Sequence, residues 1–400
     1  MLTERLHLND SYLEHFEAQL VALSTWQYQP SLILDRTAFY AESGGQLGDR
    51  GQLETPLGPI LISDTQIDET GQVHHLVQTV AANLADAVGT KVNGLVEHEK
   101  RRDMMSQHTG QHILSAALDE LFNAATVSSR LGSSSSTIDV EKAEFSQADK
   151  RKVEERVNQV IMDSRPVRIH YPSPSELAKF PLRKMPTVSE AIRLIEIEGF
   201  DTTPCGGTHC KDSGGVGPLL ITGWEKYKGL TRIHFQAGTR LLNRIGEREG
   251  VLDQLASFFG VGWQEVPDHV QRQKVQIQNL SQQLGSMRSD LVNLKLAQLL
   301  PDLQPKSDTP HIIRVESPDP VAFRAMAQRM AEAGYFILLL AEMDGKLRFI
   351  LEGPDPSLVA AYHRETLVPL GAKGGGKTRI EGVLPQNSGS QTLLKQALNF

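Results

Sequence analysis

Cysteine is almost missing from this chain: there are two in 400 residues, Cys205 and Cys210. That excludes a disulfide framework, and because both sit close together on one Gly-rich stretch, reduced thiols fit better than a structural staple. Long apolar runs are missing as well. Nowhere do about 18 apolar residues follow one another as a membrane span requires, and the N-terminus, "MLTERLHLND", has no apolar core of signal-peptide type. The expectation is a soluble, cytoplasmic protein with no membrane contact. A strong excess of one charge is also lacking. Forty-one Lys and Arg stand against 48 Asp and Glu, a net charge of -7, which argues against a protein that binds nucleic acid over its whole surface. Basic residues gather only locally, at Lys100-Arg101-Arg102, at Arg183-Lys184, at Lys226 with Lys228, and at Lys373/Lys377/Arg379. Each cluster taken alone reads as solvated surface.

The composition that remains, 40% hydrophobic and 22% charged, is ordinary for a globular protein, and 400 residues suffice for several domains. Residues 1–95 carry short β-type runs, "SLILD" (31–35), "GPILISD" (58–64), "GQVHHLVQ" (71–78) and "KVNGLVEH" (91–98), separated by turn residues. This spacing predicts a small antiparallel β-barrel. His74 and His75 alternate within one such strand and read as ordinary residues. From Arg101 the period changes. Met104, Met105, His108, His112, Ile113, Ala116, Ala117 and Leu121 recur at three and four residues, as on an amphipathic helix. A strand at 136–146, a helix at 147–164, a strand at "PVRIHYP", a strand entering the Gly-rich loop within 190–210, and a hairpin turning at "KYKG" complete an α+β domain over 96–240. The Ser133–Ser136 run reads as a polar loop.

Beyond it, Val270, Ile277, Leu284 and Leu291 share one heptad register, and Leu280, Met287 and Leu294 share the other. A helical arm over 241–302 follows, its polar face rich in Gln and its middle weakened by Gly285; it forms either an intramolecular helical hairpin or a dimer contact. Residues 303–400 read as a separate α/β domain. The fold class expected for the whole chain is therefore α+β.

Two short stretches bear the chemistry. "SQHTGQH" (106–112) puts His108 and His112 at i and i+4, on one helix face and near enough to chelate one ion. "TPCGGTHC" (203–210) repeats the spacing as Cys205 and His209, with Cys210 a competing thiolate. Either pair alone is a weak signal. Thiolate and imidazole together suit a tetrahedral zinc site, whereas magnesium and calcium want oxygen. A zinc peptidase would read H-E-x-x-H, with a glutamate to deprotonate water. Position 109 is threonine and 111 is glutamine, so that base is missing.

"HTGQHILSAAL" (108–118), "STIDV" (136–140), "CGGTH" (205–209) and "RIHFQAG" (232–238) resemble the editing domain of alanyl-tRNA synthetase and its free-standing relatives, the AlaX family. "RTAFYAESGGQLGDRG" (36–51) is similar to the Gly-rich motif of the barrel that precedes that domain, and "GAKGGGKTRIEG" (371–382), behind a helical arm, resembles the C-terminal tRNA-contacting portion. With the barrel motif starting near residue 36, the expectation is a free-standing long-form AlaX protein. The resemblance implies one Zn2+ per chain on His108, His112, Cys205 and His209. It implies hydrolysis of the ester in mischarged tRNA(Ala), chiefly Ser-tRNA(Ala) with Gly-tRNA(Ala) as a second substrate. A catalytically inert, zinc-containing tRNA-binding protein is the alternative. The stretch "TVSSRLGSSSSTIDV" departs from the Gln and Gly-Ser pattern of many synthetase editing domains and leaves the amino-acid preference open.

Candidate substrate contacts are Thr109, whose plainer reading is an internal helical hydrogen bond, the barrel residues Glu42, Ser43, Gly44, Gly45 and Gln46, and the loop glycines Gly206 and Gly207, which permit a tight turn and close backbone approach. Candidate tRNA contacts are Lys373, Gly374, Gly375, Gly376, Lys377 and Arg379, which offer N–H groups and charge to phosphate. "GAKGGGKT" formally fits a P-loop, but "RIEGVLP" after it is β-like where a P-loop opens a helix. A homodimer through the arm or the C-terminal domain is a further expectation.

Overall fold

A computed structural model describes residues 2–78, 84–186, 192–316 and 319–399. Glu190, Ala191 and Ser317, at the edges of stretches read as strands, lie outside the described residues. The chain divides into two compact units, Met1–Gln254 and Leu255–Phe400. None of the described helices is long and apolar enough to cross a membrane.

Six strands of the first unit, β1 (His15–Trp26), β2 (Gln29–Leu34), β3 (Gly51–Thr55), β4 (Gly58–Ile67), β5 (Val73–Val77) and β6 (Lys91–Val96), close a barrel in the order β1-β2-β5-β4-β3-β6, and the short pair Glu4–Arg5 and Arg36–Thr37 stands apart from it. Alternation fills it: Phe16, Ala18 and Leu20 of β1 point inward beside Leu32, Leu34, Leu53, Ile62, Val77, Val92 and Val96. His74 and His75 are satisfied within this wall. His74 Nδ1 meets Ser31 Oγ at 3.0 Å, while His75 meets Thr37 Oγ1 at 2.8 Å and the Leu32 carbonyl at 3.0 Å.

Helix α1 (His98–Phe122) follows directly and ends at Asn123, whose φ of 52° is the left-handed cap that Asn tolerates. The periodicity predicted an amphipathic helix, yet Gln107 to Leu118 are all buried. The reason is that α1 runs through the middle of the domain. Strands β7 (Thr126–Leu131), β8 (Ser136–Val140), then helix α2 (Gln147–Met162), β9 (Val167–His170), β10 (Leu194–Ile197), β11 (Asp201–Pro204), β12 (Leu219–Tyr227) and β13 (Leu230–Ala237) surround it. They form a four-stranded sheet, β12-β13-β8-β7, and a three-stranded one, β9-β10-β11. Leu114 and Leu118 of α1, Val153 and Val157 of α2, and Ile138, Ile221 and Ile233 of the larger sheet share one core. The α2 N-terminus is fixed by a reciprocal box between Ser146 and Asp149. The "KYKG" turn is as expected, Lys228 and Gly229 both taking positive φ, 49° and 82°, as a tight hairpin demands. The strand expected over 136–146 begins at Ser136 as read and ends at Val140, and Ser136, also read as the end of a polar loop, is buried at its start.

Helix α3 (Gly238–Phe259) carries the chain across the division. In the second unit, α4 (Val266–Leu299) is one unbroken helix of 34 residues, passing through Gly285. The heptad positions Val270, Ile277, Leu280, Leu284, Met287, Leu291 and Leu294 are exposed. The face it buries is another one: Val292, Leu296 and Leu299 pack on Phe323, Met326 and Met330 of α5 (Pro320–Glu332). The sheet beside α5 contains β14 (His311–Arg314), β15 (Ile337–Met343), β16 (Lys346–Glu352), β17 (Lys373–Gly375), β18 (Arg379–Leu384) and β19 (Leu398–Asn399), in the order β17-β18-β16-β15-β14-β19.

Candidate metal centre and its cavity

The two motifs meet. The ligand atoms of His108, His112, Cys205 and His209 all lie within 4.8 Å of one another, with the three histidines buried. Cys205 Sγ stands 3.4 Å from His108 Nε2 and 3.3 Å from His209 Nε2. Four donors around one zinc stand about 3.3–3.8 Å apart. A thiolate with three imidazoles is a donor set zinc takes, so the residues present fit the ion that the motifs imply. Cys210 is elsewhere: it is buried in the core with Ile197 and Val216, and burial pushes its thiol up to about 11.

Two of the histidine rings are hydrogen-bonded through their other nitrogen, and the third faces a carboxylate. His108 Nδ1 donates to Gln46 Oε1 at 2.6 Å, His209 Nδ1 lies 3.3 Å from Thr109 Oγ1, and His112 Nδ1 faces Asp201 Oδ2 at 3.5 Å. With Nδ1 bonded in His108 and His209 and turned to Asp201, without a hydrogen bond, in His112, Nε2 is left as the donor. Asp201 is itself clamped by Arg183, at 2.7 and 3.2 Å. Burial pushes the His112 ring down, but Asp201 and Cys205 beside it outweigh this and lift the ring to about 9. Burial would raise the Cys205 thiol; the rings of His108 and His209 beside it prevail and hold it well below its usual value.

The loop that carries Cys205 and His209 is built for close approach. A Cβ at Gly207 would meet His108 Cε1 at 2.1 Å, so this glycine is required, whereas Gly206 has open space. Arg193, which is buried, donates to the Cys205 carbonyl at 2.7 Å, to the Gly207 carbonyl at 3.1 Å and to the Leu8 carbonyl at 3.0 Å. It thereby ties the loop to the N-terminal segment.

Over the cluster lies a cavity of about 460 Å³ lined by residues that include Tyr40, Ser43, Gly44, Gln111, Thr126, Ser128, Thr203, Gly206 and Gly207, with Arg183 and Lys184. Among the described residues no Asp or Glu lines it. Of the barrel residues expected at the substrate, Ser43 and Gly44 are part of this lining, while Glu42, Gly45 and Gln46 are not. Glu42 pairs with Gln66 at 3.0 Å. Gly45, at φ 84°, lets the motif pass β7, where a Cβ would meet the Ser129 carbonyl at 2.3 Å. Gln46 is engaged with His108 and, at 2.9 Å, with Thr208. Thr109 accepts from the Cys210 amide at 3.0 Å, away from the cavity lining.

Reasoning from sequence missed Asp201, Arg183 and Arg193. It also read Lys100-Arg101-Arg102 as surface. Arg101 is fully buried, paired with Asp49 and donating to the carbonyls of Ser11 and Ala38 at 2.7 and 2.6 Å. Arg102 stacks 4.0 Å over Tyr12. In the second unit, Lys373 and Gly374 line a smaller cavity of about 260 Å³ with Arg324 and Arg348. Arg379 pairs with Glu352 at 2.7 Å, and Lys377 is exposed. Gly374 and Gly376 are demanded by strand pairing, since a Cβ on either would strike a carbonyl, of Glu381 and Arg379 respectively. The Gly-rich run passes from β17 into β18, with no helix after it, unlike a P-loop.

Residues 13–100 match the family model for class II (A) tRNA synthetases, and residues 192–234 match that for the threonyl and alanyl tRNA synthetase second additional domain. The alanyl-tRNA editing protein AlaX-L of Pyrococcus horikoshii is 29% identical over 389 residues, covering 95% of this chain and 94% of that protein. The chain resembles the long AlaX proteins throughout its length. The alanine–tRNA ligases of Ignicoccus hospitalis and Archaeoglobus fulgidus are 28% and 27% identical over 94% and 100% of this chain. It spans 40% and 44% of their lengths. The AlaX likeness thus runs through both units, and both matched family segments lie in the first.

Proposed function

We propose that this chain removes the wrong amino acid from tRNA(Ala) by hydrolysing the aminoacyl ester, with seryl-tRNA(Ala) the chief substrate and glycyl-tRNA(Ala) a second. The observation that supports it most is the His/Cys cluster forming part of the lining of a cavity with no carboxylate among its described residues, in a chain similar to alanyl-tRNA editing proteins. An ester is activated compared with an amide, so positioning and fixed charge suffice where no strong base stands by.

His108, His112, Cys205 and His209 would hold one zinc ion, which supplies positive charge at the cavity and locks α1 to the 205–209 loop. Around it the chain's own groups act on the substrate. Ser43, Gly44, Gly206 and Gly207 shape the entry, and Arg183 with Lys184 offer charge to the phosphate beside the terminal ribose. Thr109, Glu42, Gly45 and Gln46 act one step removed, through the cluster and the loop geometry. In the second unit, Lys373, Gly374, Gly375, Gly376, Lys377 and Arg379 contact the tRNA body. The chain works as four segments, 1–95, 96–240, 241–302 and 303–400, in the cytoplasm. Its exposed heptad seam on α4 supports a homodimer through the arm.

Four protein donors close a zinc site, which is the observation that favours the second reading, an inert tRNA-binding protein with structural zinc. Turnover separates the two. A deacylation time course on Ser-tRNA(Ala), Gly-tRNA(Ala), Ala-tRNA(Ala) and Ser-tRNA(Ser) at catalytic protein concentration is expected to release serine and glycine from tRNA(Ala) and to spare the other two. Binding without release from any of them would establish the inert reading.

A further inference from the structure

We infer that Gln111 presents the acceptor that takes the α-ammonium group of the aminoacyl ester, so that the site admits free aminoacyl-tRNA and turns away N-acylated chains. This rests on the reading of the cavity as an ester hydrolase site. Gln111 stands between His108 and His112 on α1 and shares their face, at i+3 from the first. It is 7% exposed and lines the same cavity. Its amide is oriented: Nε2 donates to Ser115 Oγ at 2.8 Å, and Thr126 Oγ1 donates to that same oxygen at 2.8 Å. Oε1 is then left without a partner among the described residues, and it is not sealed from solvent. Thr203 Oγ1, also unpartnered in this lining, is sealed.

An ammonium brings three N–H donors and no acceptor, and it needs oxygen to receive them. With no Asp or Glu among the described residues of the lining, a fixed amide carbonyl is the natural recipient. Arg183 and Lys184, which also line the cavity, carry donors only and offer the ammonium no acceptor. An N-acylated amine has lost its charge and all but one of these donors, and it carries added bulk. Every amino acid has the α-amine, so Gln111 orients the ester and does not choose between serine and alanine.

The test compares kcat/KM for Ser-tRNA(Ala) and N-acetyl-Ser-tRNA(Ala) in the wild type, Gln111→Met and Gln111→Glu, with zinc per chain measured alongside. The wild type is expected to prefer the free amine by about 10- to 100-fold, the range of one hydrogen bond to a charged group. In Gln111→Met that ratio falls towards one; in Gln111→Glu it stays at or above the wild-type value. The same ratio in the wild type and Gln111→Met overturns the inference and leaves ester hydrolysis standing. If Gln111→Met loses zinc, Gln111→Glu decides: a ratio near one there also overturns it. No release from either substrate by the wild type overturns the functional reading beneath it.

Discussion

Gln46 receives a hydrogen bond from His108, Nδ1 to Oε1 at 2.6 Å, and in the same side chain Nε2 donates to Thr208 at 2.9 Å. The Gly-rich motif of the barrel, the first histidine pair and the Cys/His loop are thus joined through one amide. Asp201, on the strand β11 that leads into Cys205, faces His112 Nδ1 at 3.5 Å, a longer contact with no hydrogen bond in it.

These outer contacts set the tautomer and orientation of the donor rings, and removing such a partner ordinarily weakens a metal site by about 10- to 100-fold. Gln46→Leu and Asp201→Asn are each expected to weaken zinc affinity by that factor, measured by competition with a chelator. Unchanged affinity in both would show that the rings are held by packing alone.

The two cysteines have different roles. Cys205→Ala removes the thiolate donor and is expected to lower bound zinc per chain and deacylation together. Cys210→Ala, in the core, keeps zinc at the wild-type level and costs about 1 kcal/mol of stability through lost packing. Metal analysis of the two purified variants distinguishes them, and full activity in a zinc-free Cys205→Ala protein would refute the ligand assignment.

What was legible in the sequence was local. Alternation marked the barrel strands, three-and-four spacing marked α1, and each ligand pair lay within five residues, so period and motif exposed them. Contacts spanning long stretches of chain had no such signal. Asp201 reads as a strand residue until His112 is found beside it, and Arg193 reads as a charged position until its guanidinium is seen on Cys205 and Gly207. The amphipathic reading of α1 fell short for a related reason. Polar Gln107, Gln111 and Ser115 look like a solvent face, but the partners of Gln107 and Ser115, Ala237 and Thr126, come from strands that fold over the helix, and Gln111 bonds within it to Ser115.

Arg101 and Asp49 join α1 to the barrel in a fully buried pair, with the Tyr40 amide donating to the same carboxylate at 2.7 Å. Removing one partner leaves a buried charge without compensation, which costs about 3–5 kcal/mol. Asp49→Ala is therefore expected to lower unfolding free energy by that amount in denaturant titrations of the full chain. The double variant Asp49→Ala/Arg101→Met is expected to recover part of the loss. If the double variant were as unstable as the sum of the single changes, the pair would not be coupled.

His75 adds a dependence on pH. Burial pushes its ring down to about 4, and the carbonyl of Leu32, which raises it, does not compensate. Its unfolded value is about 6.5, so between these two the unfolded chain binds a proton that the folded barrel refuses. Stability from this residue is then complete above pH 6.5 and is lost as pH falls towards 4, by about 1.4 kcal/mol per unit of difference, or about 3 kcal/mol across the window. Replacing the ring with a side chain that does not titrate removes that slope. His75→Gln is expected to lose about 3 kcal/mol less than the wild type between pH 7 and pH 4 in denaturant unfolding, and parallel profiles would mean that the ring remains protonated inside the barrel.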